Sequence, residues 1–96
     1  MTQDLTQLYR NLAICLATIS NKTLDDIPDN TGTRAINDDG IYEQEIDITD
    51  SQNPDNQILV TITAKTLVDK PSVKSIQLLH WNKKSEEFDI AETILA

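Results

Sequence analysis

The apolar residues change period once along the chain, and that change limits the folds open to it. Up to Ile19 they follow a helix: Leu5, Leu8, Leu12, Cys15 and Ile19 recur at alternating spacings of three and four, with Leu16 and Ala13 widening the stripe. Beyond Gly40 they alternate. Ile46 and Ile48 are interleaved with Glu45, Asp47 and Thr49, and Ile58, Val60, Ile62 and Ala64 line one side of a second alternating run. A helix followed by strands of period two predicts an α+β fold with one helix packed on an antiparallel sheet.

The helix is expected over about residues 4–20, with Thr2 or Asp4 able to cap its start. Ser20-Asn21 weakens the pattern, and Pro28 disfavours helix at the residue before it. The stripe is too short for a coiled-coil seam and reads as a face packed on a sheet. Residues 28–40 read as a polar connector holding both glycines. Strands are expected at about 41–49, 57–67 and 73–81. The tail carries two signals. Ser85-Glu86-Glu87 resembles a helix start, while Phe88, Ile90 and Ile94 at even spacing fit the return strand of a hairpin over 88–94. The strand is the reading adopted, giving a meander of three or four strands in one domain.

Turn chemistry and pairing suggest a register. Ser51 to Asn56 reads as a turn with Pro54 at its first central position. Centring a hairpin there sets Ile46 against Ile62 and Ile48 against Val60 on one face. On the other, Glu43 meets Lys65, Glu45 meets Thr63 and Asp47 meets Thr61. A second turn near Lys70 then adds Ile76 and Leu78 to the apolar face, where the helix should dock. The opposite face carries the acids, with Leu59, Leu79 and Trp81 toward one end. The tail or the connector is a candidate cover for those three apolar residues.

Charge bears on partners. Sixteen acids against eight bases give a net charge of −8, which repels phosphate backbones and anionic membranes and attracts basic proteins. The excess is local. Residues 25–55 hold ten acids and a single base, while residues 56–84 hold one acid and five bases. In a meander of three strands the most acidic strand would lie at an edge, where carboxylates also deter unwanted strand pairing.

The composition argues against most catalysis. There is one Cys and one His, so neither a disulfide nor a zinc cluster is available, and Cys15 reads as a small core residue. Asn37-Asp38-Asp39-Gly40 invites comparison with a calcium loop. Aligning Gly40 with the required glycine puts Ala35 at the first ligand position and Ile46 where the bidentate glutamate belongs, and both fail. Gly32 and Gly40 are too far apart for a phosphate loop. Glu43, Glu45 and Asp47 project at intervals of about 7 Å along one strand face. A catalytic pair of carboxylates would also need a deep pocket and one acid with a raised pKa. Four aromatic residues offer little material for either. No cofactor and no metal are expected, and no enzymatic activity.

These features predict a non-catalytic acidic interaction module, an inhibitor or antagonist that covers the basic surface of a partner protein, such as one that binds nucleic acid. Asp38, Asp39, Glu43, Glu45 and Asp47 are the expected contact residues, with Trp81 as an apolar anchor. Direct nucleic-acid or membrane binding is not expected, and the chain as given reads as cytoplasmic. A helix followed by an antiparallel meander also resembles, in architecture, the globular head of minor pilins and pseudopilins. That resemblance implies a structural subunit. A small chaperone-like binder is a further expectation that the acidic charge permits.

Overall fold

A computed structural model describes residues 5–27, 34–50 and 52–95 of the 96-residue chain. One helix, α1 (Thr6–Ile19), is followed by a single 3₁₀ turn (Leu24–Asp26) and five strands. The strands are β1 (Arg34–Ile36), β2 (Tyr42–Thr49), β3 (Asn56–Ala64), β4 (Ser72–Asn82) and β5 (Glu87–Leu95). They form one antiparallel sheet in the order β1-β2-β3-β4-β5. The architecture is α+β, with the helix packed on a five-stranded sheet instead of three or four strands.

The helical stripe does what its spacing requires. Leu8, Leu12 and Ile19 are buried, and Leu5, Cys15 and Leu16 pack partly against the core, whereas Ala13 faces out. Leu5 occupies the N-cap without a side-chain cap bond, and the candidate caps Thr2 and Asp4 lie outside the described residues. Burial pushes the Cys15 thiol pKa up.

Alternation along β3 is complete, with Asn56, Ile58, Val60, Ile62 and Ala64 buried and their neighbours half-exposed. Ile46 and Ile48 from β2 and Ile76 and Leu78 from β4 extend that floor on either side. Each such side chain contributes about 1.5–3 kcal/mol on leaving water. Below the sheet the core is closed by α1 and by Leu24 and Ile27.

The β2–β3 turn has the expected chemistry. Pro54 and Asp55 are the central residues of a β-turn closed by the Asn56 N–H donating to the Asn53 carbonyl at 3.1 Å. The register differs from the sequence expectation by two residues. Ile46 opposes Val60 and Ile48 opposes Ile58, while Glu43, Glu45 and Asp47 oppose Thr63, Thr61 and Leu59. Because side chains alternate with period two, a slip of two leaves each one on its expected face. β3 ends at Ala64, short of the expected 67, and the chain turns over Thr66–Asp69.

The connector is the larger correction. Residues 28–33 lie outside the described residues, but Arg34–Ile36 is a strand, paired with Tyr42–Gln44. The acidic strand β2 is therefore flanked on both sides over Tyr42–Gln44, while Glu45–Thr49 pairs only with β3 among the described residues and keeps an open edge. Arg34 explains why β1 settles there. Its Nε donates to Oε1 of the fully buried Gln44 at 2.9 Å, and its Nη2 donates to the carbonyls of Leu24 at 2.9 Å and Ile27 at 2.7 Å. One guanidinium thus joins the 3₁₀ turn to two strands. The same turn is held from its other side, where the Leu24 and Asp25 N–H groups donate to the carbonyls of Asp69 and Leu67.

Candidate interaction face

α1 lies over β2 and β3 on one side of the sheet. The other side is formed by the alternate residues of each strand, and β2 contributes Glu43, Glu45 and Asp47. The β1–β2 turn beside them is organised by Asn37. Its Oδ1 accepts from the Asp39 N–H at 2.9 Å and the Ile41 N–H at 3.0 Å, and its carbonyl accepts from the Gly40 N–H. Gly40 has φ of 78°, a conformation that an L side chain adopts at a cost even though the space around it is open. The turn leaves Asp38 and Asp39 exposed. Asn37 Nδ2 also stands 3.5 Å from Glu43 Oε1, linking the turn to the strand acids.

The three strand acids are not equivalent. Glu43 accepts a 2.6 Å bond from Lys74, and that ammonium, more than the distant Asn37 amide, holds its pKa below the usual carboxylate range. The expected partner Lys65 lies past the end of β3. Lys74 reaches Glu43 because β4 carries a bulge there: Thr61 opposes Ser75 and Ile62 opposes Val73, so Lys74 is the extra residue. Glu45 and Asp47 are exposed and make no salt bridge among the described residues.

Rows across the sheet show what adjoins each acid. Glu45 leads to Thr61 and Ser75, and Asp47 leads to Leu59, Gln77 and Thr93. Next comes Thr49, Gln57, Leu79 and Ile90. Beyond that row, Trp81 packs edge-on against Phe88 with ring centroids 5.1 Å apart. The tail runs beside β4 and does not fold across it, so Leu59, Leu79 and Trp81 stay half-exposed. Trp81 therefore does not sit among the acids as a single cluster. It closes the far end of a diagonal apolar stripe whose near end, Leu59, touches the row of Asp47. Phe88 and Ile90 belong to this stripe; the sequence placed them on a return strand but not on this face. Their even spacing in the tail was the available signal, but only their pairing with Trp81 and Leu79 assigns them to this face.

Other polar groups gather around two clefts. His80 places Nδ1 2.8 Å from the side-chain amide of the buried Asn56. It borders an open cleft of about 710 Å³ with Asp55, Asp89 and the hairpin lysines Lys83 and Lys84. A second shallow cleft of about 390 Å³ lies between Ile41, Lys65 and Lys70. Among the described residues no group of three or more His, Cys, Asp or Glu is placed to hold a metal ion, and no helix is long and apolar enough to cross a membrane.

Family models, curated proteins and solved structures give no match to this chain. The functional reading rests on the geometry of this face.

Proposed function

We propose that the protein is a non-catalytic interaction module that docks the outer face of its sheet on the basic surface of a partner protein, acting as an inhibitor or antagonist. The observation that carries this reading is the exposed pair Glu45 and Asp47 beside the half-exposed Leu59, on a sheet face that no described element crosses. Open carboxylates steer a basic partner and set its orientation, while the adjoining apolar stripe supplies area to bury. Glu43 is already engaged by Lys74, so Glu45 and Asp47 are the principal charged contacts. Asp38 and Asp39 extend the negative field beyond the turn. A partner whose own groove is built for phosphates fits this surface best, because carboxylates at strand spacing present a comparable row of negative charge. Such a module works in the cytoplasm, where nucleic-acid-binding partners are accessible.

The test is affinity capture from the source cell at low and high salt, using the wild type and the double variant Glu45→Lys/Asp47→Lys. A basic protein retained at low salt by the wild type and lost from the variant supports the reading. An unchanged set of retained proteins removes this face as the binding site.

A further inference from the structure

We propose that the free edge of β5 is a strand-addition site for an extended segment in which Lys or Arg alternates with apolar residues. The partner chemistry rests on the proposed preference for a basic protein, but the surface is a different one. β5 is the terminal strand of the sheet, and among the described residues no strand pairs with its far side. Half of its backbone N–H and C=O groups therefore point outward, the template that strand addition uses. All its residues are exposed except Phe88, which is half-exposed. Two bulges interrupt the strand further on, but Glu87–Ile90 runs in unbroken register with Leu79–Asn82. That run contains neither Pro, Lys nor bulge, and its Glu87 and Asp89 deter an apolar or acidic strand while leaving a basic one favoured.

The side chains select the occupant. Glu87 and Asp89 alternate with Phe88 and Ile90, and Glu92 follows. A strand laid alongside meets carboxylates on one of its faces and apolar groups on the other, which favours Lys or Arg opposite the acids. Phe88 packs on Trp81 and Ile90 opposes Leu79, so the added strand would extend the apolar stripe of the outer face. A second copy of this chain fits poorly, because pairing two such edges brings together acidic strands from molecules of net charge −8 each.

The experiment is fluorescence anisotropy with a labelled peptide of about nine residues alternating lysine and valine. The emission of Trp81, the only tryptophan, serves as a local readout. The expected result is binding that shifts the Trp81 emission and slows amide hydrogen exchange in Glu87–Ile90. Methylating the peptide's backbone nitrogens along one edge should weaken it about tenfold or more, since charge is kept and the ladder is lost. Glu87→Lys/Asp89→Lys should weaken it similarly, and Glu45→Lys/Asp47→Lys should not. No binding, equal binding of the methylated peptide, or a dimer formed through β5 by the protein alone would each overturn the proposal. Loss of peptide binding only in Glu45→Lys/Asp47→Lys overturns the edge and leaves the face standing. Peptide binding at β5 alongside unchanged capture by that variant removes the face and leaves the edge.

Discussion

Glu43 on β2 and Lys74 on β4 are bonded at 2.6 Å across the intervening strand β3, with Thr63 directly opposite Glu43 between them. A residue two strands away reaches the acid because the bulge in β4 frees Lys74 from the pairing register. The contact fastens three strands on the outer face and removes one carboxylate from the set available to a partner.

The pair gives a pH signature. Folding lowers the Glu43 pKa, chiefly through Lys74. Its contribution is therefore present above the unfolded carboxylate pKa and is lost as pH falls through the lower folded value. A carboxyl-detected NMR titration should place Glu43 below the ordinary glutamate range. In Lys74→Met the value should rise toward that range, and added salt should narrow the difference between the two proteins. Equal Glu43 titrations in wild type and variant would show that the pair does not form in solution.

Arg34→Met should be more damaging than its surface-like position in sequence suggests. Three donated bonds are lost, and the Leu24 and Ile27 carbonyls lose the donor that joins them to β1. A cost of about 2–4 kcal/mol follows from charge-assisted bonds in a partly buried site. Arg34→Lys should recover little of it, because a single ammonium cannot reproduce the fork. Urea denaturation of the three proteins measures both effects, and a fully stable Arg34→Lys would contradict the bridging role.

Leu24 precedes the connector yet is as inaccessible as Leu8 in the first turn of α1. Leu24→Ala should therefore cost about 2–5 kcal/mol, a value comparable to that of Leu8→Ala. Denaturation midpoints of the two variants test this directly. A negligible change at Leu24 would mean that the 3₁₀ turn is not part of the cooperative core.

Much of the fold was legible because its signals are local. The spacing from Leu5 to Ile19 reports a helix with one buried stripe, and Ile46, Ile48, Ile58, Val60 and Ile62 report strands with one buried face. Pro54 between Asn53 and Asp55 reports the turn, since proline presets the dihedral that the first central position needs. The candidate acids were legible in the same way: Glu45 and Asp47 point outward because their isoleucine neighbours point inward. β1 was not legible. Three residues are too few to show a period, and Arg34–Ile36 is a strand because β2 offers an edge and Arg34 finds carbonyls to bind.

The sequence by itself determined the helix α1, the alternation of β2 and β3 and the face each of them presents, because these depend on side-chain periodicity along the chain. The tertiary structure decided the register, the partner of Glu43 and the joining of Phe88 and Ile90 to the apolar stripe that ends at Trp81. A two-residue slip preserves each face, so alternation alone does not distinguish Ile46 opposite Val60 from Ile46 opposite Ile62. That choice rests on how the segment between Thr49 and Asn56 closes and on which side chains meet across β2 and β3.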